Sequence, residues 1–131
     1  MTGKNTIELI ETMSTLILIG HQCRQGGVLS VEAMIDQVKE PSLKVCLRMV
    51  LDGRSPQDIK ETLQAEVDSR DIYGNLVVEG VTMIAGSETT EVMEEKFKTY
   101  LSTEDQAKLD IRAKGVLRDW AEKRERGEIV F

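Results

Sequence analysis

The sequence predicts an all-α fold, and three observations carry that prediction. Apolar residues recur at helical spacing through nearly every segment. Glycine, proline and hydroxyl residues stand where such segments stop and start. Aromatic residues are only 4% of the chain, too few for the strands of a sandwich or barrel. No stretch alternates apolar and polar residues as a half-buried strand would.

The elements follow in order. The first segment carries Ile7, Ile10, Met13, Leu16, Leu18 and Ile19 at mostly helical spacing and should stop at Gly26-Gly27. Ser30 is then placed to cap a second helix over residues 31–40, with Val31, Met34, Ile35 and Val38 on one face. Pro41 disfavours helix at Glu40 and opens a third, whose Leu43, Cys46, Leu47, Val50 and Leu51 are apolar and which Gly53 ends. Ser55-Pro56-Gln57-Asp58 reads as a cap, a first-turn proline and a carboxylate at a helix start, with Ile59, Leu63 and Val67 as the buried stripe. Gly74-Asn75 suggests a turn, and a fifth helix should run from Leu76 to Gly86. Thr89 caps a sixth, with Val92, Met93, Phe97 and Leu101 inward. Ser102 opens a long polar seventh, with Ala107, Ile111, Leu117 and Trp120 on one side. The core expected from these stripes comprises Leu43, Leu47, Val50, Leu51, Ile59, Leu63, Val81, Ile84 and Phe97. The helix–glycine–cap–helix pattern of 49–63 recurs in 83–97, which is a common connection and no solenoid.

Composition narrows the function. A chain of 131 residues suits one domain with a modest core, and 40% hydrophobic with 31% charged residues is a folded, water-compatible composition. The net charge of −6 opposes nucleic-acid binding, which needs a basic face. A helix-turn-helix around Gly53 is the one feature that invites a DNA-binding or regulatory alternative. The longest apolar run, Leu16 to Gly20, is far short of the roughly 18 residues of a membrane span. The residues ahead of Ile7 carry no secretory pattern, so the chain reads as soluble and cytoplasmic.

Chemistry-bearing motifs are absent from the sequence. His21 is the single histidine and has no cysteine or carboxylate at ligand spacing, so a structural role is expected and neither metal nor cofactor is. Cys23 and Cys46 sit in apolar helical surroundings and should be reduced thiols. Glu94-Glu95-Lys96 and the run Glu122 to Arg126 read as solvated helix faces, and Met34, Met49, Met83 and Met93 as core packing. No phosphate loop, nucleophile elbow or paired-carboxylate motif appears, so no enzyme activity is expected.

Three stretches, read in order, resemble the MotA family of flagellar stator proteins. Arg24-Gln25-Gly26-Gly27-Val28-Leu29-Ser30-Val31-Glu32 is similar to the start of that family's large cytoplasmic loop, where an Arg precedes a Gly, an apolar pair and, eight residues on, a Glu. Glu40-Pro41-Ser42-Leu43-Lys44 through Leu51-Asp52-Gly53-Arg54-Ser55-Pro56 looks like its "(D/N)PFLK…VDGxDPE" region. Val78-Glu79-Gly80-Val81, Ala85-Gly86-Ser87-Glu88 and Val92-Met93-Glu94-Glu95-Lys96-Phe97 resemble "EGI…A…GENPRVIEEKL", which follows the family's last membrane helix. The resemblance spans roughly residues 7 to 102.

What the resemblance implies is specific. Residues 1–71 would correspond to the large cytoplasmic loop and 72–131 to the C-terminal cytoplasmic tail, together one domain. Arg24 and Glu32 would be the residues that meet opposite charges on the C-terminal domain of the rotor protein FliG. Without the family, each completes a helix end favourably: Arg24 a C-terminus, Glu32 an N-terminus. The partners implied are FliG, a MotB-type stator subunit engaged through membrane helices, and further copies of the chain in the full stator at the bacterial inner membrane. The four membrane helices of the family are missing here. Residues Asp71 to Asn75 mark where two of them would have been removed, which is sterically reasonable because the cytoplasmic ends of neighbouring antiparallel helices lie close together.

Overall fold

Helix α1, Thr6–Gly26, is the axis of the molecule, and its composition explains why. The run from Leu16 to Gly20 is apolar on every side, so no face of this part can be left to water. Helices α5 (Ile72–Ala85), α6 (Thr90–Lys98) and α7 (Thr103–Glu125) cover it, together with the 3-10 turn Val28–Val31. Helices α2 (Glu32–Asp36), α3 (Pro41–Leu51) and α4 (Pro56–Gln64) form a second tier, α3 and α4 packing on α5. This computed structural model describes residues 4–128, and no strand occurs among them. The chain is all-α.

Local chemistry starts each helix. Asn5 and Glu8 close a capping box on α1, and Ser55, Asp71, Thr89 and Ser102 each accept an N–H of the first turn of the helix that follows. Each such cap is worth about 1 kcal/mol. Pro41 and Pro56 both take first-turn positions, where the missing N–H costs nothing.

The core joins every helix. Met13, Leu16, Ile17 and Ile19 of α1, Leu47 of α3, Ile59 of α4, Val81 of α5, Met93 and Phe97 of α6 and Leu109 of α7 are fully buried. Burying each such side chain contributes about 1.5–3 kcal/mol before entropy. Of the expected core, Leu43, Leu47, Val50, Ile59, Leu63, Val81, Ile84 and Phe97 are buried, and Leu51 is half-buried against them. Close packing depends on Gly80: a Cβ there would lie 2.6 Å from Leu16 Cδ1 and 3.1 Å from Phe97 Cζ.

Several local expectations are corrected. Residues 31–40 are not one helix: the chain makes a 3-10 turn to Val31, a short α2 to Asp36 and an extended link to Pro41. Ser30 does not cap it, because its hydroxyl turns back to Gly27 and Gln22. Gly74-Asn75 is not a turn but the first turn of α5, capped by Asp71. The Asn75 amide donates to the carbonyls of Asp68, Ser69 and Asp71, so side-chain bonding in place of a tight turn closes the α4–α5 corner. Ile7 and Ile111 are 74% exposed, and Val92 also faces solvent. The buried face of α7 is Leu109, Ala113 and Trp120: the expected Trp120 is in it and Leu117 is half-buried, but the expected Ala107 and Ile111 face solvent, on the opposite side from Leu109 and Ala113.

Candidate functional site

Arg24 and Glu32 flank one bend. Arg24 lies in the last turn of α1, where a guanidinium suits the negative helix end. The helix stops because Gly27 adopts φ 87°, a left-handed conformation that favours glycine, and its N–H donates to the Cys23 carbonyl at 2.8 Å. The 3-10 turn then carries the chain to Glu32, the first residue of α2.

Both side chains are exposed. The Glu32 carboxylate makes no hydrogen bond or ion pair among the described residues. Arg24 is held: its Nη1 donates to the carbonyl of Ser87 in the α5–α6 turn. Ser87 is the only non-glycine residue with positive φ among those described, at 59°, and it ends α5 in a left-handed cap. The Glu88 N–H reaches back to the Met83 carbonyl at 3.0 Å to complete it. The tertiary fold thus brings the stretch 24–32 against the stretch 85–88, two segments some sixty residues apart in the sequence. One guanidinium N–H is spent on that tether, and the remainder of the group faces solvent.

Beneath the bend lies a buried polar cluster that the sequence did not single out. Trp120 Nε1 donates to Gln22 Oε1 at 2.7 Å, and Gln22 Nε2 donates to Ser30 Oγ at 3.0 Å. His21 meets the Trp120 ring edge-on at 4.6 Å between centroids, and Arg124 stands over the same ring at 5.2 Å. Burial lowers the His21 pKa below its ordinary value; Arg24 and Arg124 push the same way, and Glu91 opposes them. The signal in the sequence was a glutamine on the apolar side of α1, legible only once the partner tryptophan is known. Leu29, between the two charges, is 79% exposed.

Elsewhere the surface of the described residues shows no convergent chemistry. A cleft of about 330 Å³ is lined by Lys60, Glu79, Thr82, Lys96 and Tyr100 among others, and burial with the nearby Glu79 pushes Tyr100 up to about 12. No group of three or more His, Cys, Asp or Glu gathers at metal-binding distance among the described residues. Cys23 and Cys46 are unpaired thiols raised by burial. No described helix is long and apolar enough to cross a membrane. Helix α4, which a helix-turn-helix would insert into DNA, exposes Asp58 and Glu61 beside Lys60. Its neighbour Arg54 is spent on Asp58 at 2.7 Å.

Comparison with known proteins finds relatives over half of the chain. The chain is 30% identical over 67 residues to Motility protein A of Helicobacter pylori, in each of two strains. It is 28% identical over 65 residues to Motility protein A of Borreliella burgdorferi. Half of this chain is similar to Motility protein A. The matched stretches are 51% and 50% of this chain but only 26% and 25% of those relatives, so the chain spans about a quarter of the curated proteins it matches. No protein-family model matches the chain, and no solved structure matches it significantly. The similarity to Motility protein A supports a partial and distant MotA-like relationship.

Proposed function

We propose that this chain is the rotor-contacting part of a flagellar stator of the MotA type, acting through Arg24 and Glu32 on the C-terminal domain of the rotor protein FliG. The supporting observation is the bend itself: two opposite, exposed charges on either side of a glycine-stopped turn, within the pattern that resembles the family. A torque contact must form and break as the rotor passes. Exposed charges suit that use, because they set register and association rate while contributing little lasting affinity. In this reading the segments 1–71 and 72–131 act as one domain, and the reaction involves no enzyme chemistry. A MotB-type partner and the inner membrane would be engaged through helices that the family has between the second and third matching stretches.

The direct test is a binding titration of the chain against the FliG C-terminal domain at low and moderate salt. Saturable binding that weakens with salt, and weakens again in Arg24→Glu and Glu32→Lys, is the expected result. Absence of binding, or binding indifferent to both reversals, would overturn the proposal. Compensating reversals on FliG should restore part of the lost affinity.

A further inference from the structure

We infer that Trp120 and Gln22 are positioning residues for the Arg24–Glu32 bend: a one-way chain of hydrogen bonds, buried at its start and reaching the surface at its end, runs from α7 through α1 into the turn between the two charges. The polarity of the chain is dictated by its first member. An indole N–H can only donate, so Gln22 must present Oε1 to Trp120, at 2.7 Å. That turns the Gln22 NH₂ toward Ser30, whose Oγ accepts at 3.0 Å. The Ser30 hydroxyl proton is then directed to the Gly27 carbonyl, at 2.6 Å, the residue whose left-handed conformation makes the bend.

Three further observations support this. Gln22 and Trp120 are 6% and 7% exposed, so water cannot replace a lost partner at little cost. The indole is held in its orientation by His21 at its edge and Arg124 over its face. Gly26 leaves the space the chain needs: a Cβ there would lie 2.8 Å from both Gln22 Nε2 and Ser30 Oγ. Ser30 lies six residues after Arg24 and two before Glu32, so the network meets the backbone between the two charges. The turn between the charges is therefore tied to α7 through the side chains directly beneath it.

The significance of that spacing for the rotor rests on the proposed function, but the coupling itself is measurable without a partner. Hydrogen exchange of the backbone amides 28–32 should be followed in the full chain for Trp120→Phe, which keeps a ring and removes the donor. Gly26→Ala, which disrupts the chain without touching α7, is the second variant, and Leu47→Ala is a control that destabilises the fold away from the bend. Exchange at 28–32 should rise about tenfold in Trp120→Phe and Gly26→Ala beyond what Leu47→Ala shows at matched global stability. Affinity for the FliG C-terminal domain should fall roughly three- to tenfold in the same two variants, the loss of one buried hydrogen bond. Exchange at the bend no greater than in the control would overturn the inference. A wild-type chain that fails to bind FliG would overturn the proposed function alone, because the exchange comparison decides the coupling independently.

Discussion

At the scale of single residues, burial and charge make distinct predictions. Leu47 is fully buried between α3 and the rest of the core, so Leu47→Ala should cost roughly 2–5 kcal/mol, read as a fall in the midpoint of urea unfolding. An unchanged midpoint would remove Leu47 from the core. His21 is the single histidine, which isolates its titration. Its folded pKa lies below 6.5, so the unfolded chain binds its proton first as pH falls. The sign is then fixed: stability is full above the unfolded value and declines as pH drops below about 6.5, toward the folded pKa. His21→Gln should flatten that part of the stability–pH curve, and an equal slope in both proteins would assign it to another group.

Among elements, the α5–α6 turn and the α1–α5 contact are the most exacting. Ser87 occupies a left-handed conformation without being glycine. Ser87→Gly should therefore raise stability by about 0.5–1 kcal/mol, since the Arg24 tether uses the main-chain carbonyl and survives the change. Thermal melting of the pair checks this, and a destabilised variant would mean the serine side chain contributes where no contact is seen. Gly80 lies at the opposite extreme. Its Cβ would press on Leu16 and Phe97, both fully buried, so Gly80→Ala should destabilise by about 1–3 kcal/mol despite the better helix propensity of alanine. A stabilised Gly80→Ala would show that α1 and α5 can separate without loss.

Across the whole molecule, α5, α6, α7 and the 3-10 turn converge on helix α1, and α7 is tied to it at two points. Arg112, near the middle of α7, grips Glu11 at 2.7 Å, and Trp120, nearer its C-terminal end, grips Gln22. The two helices therefore run in the same direction. The surface pair is screened and contributes little, whereas the buried bond has no water to replace it. Arg112→Ala should thus change global stability by less than about 1 kcal/mol, while Gln22→Leu, which leaves the Trp120 donor unpaired, should cost about 1–3 kcal/mol. Parallel chemical denaturation of the two variants ranks them, and the reverse order would mean that the exposed pair carries the packing of α7.

The sequence by itself determined the helical class, most caps and most of the core, because these depend on near neighbours. Ser55, Thr89 and Ser102 each act within three residues, and an apolar stripe three or four residues apart has one inward face whichever helix it meets. It also marked Arg24 and Glu32, through a resemblance and a glycine stop. Tertiary structure decided whatever depends on partners far along the chain. Ser30 looked like a cap until Gln22 and Gly27 claimed its hydroxyl. Gly74-Asn75 looked like a turn until Asp71 supplied a cap and the Asn75 amide bound the preceding carbonyls. The buried face of α7 was read correctly at Trp120 but missed at Leu109 and Ala113, because the shape of α1 selects those two and a mostly polar helix has too weak a stripe to declare its own inward side. The Trp120–Gln22 bond joins residues 98 positions apart. Local propensity does not reach that far; only the packing of α7 on α1 brings donor and acceptor together.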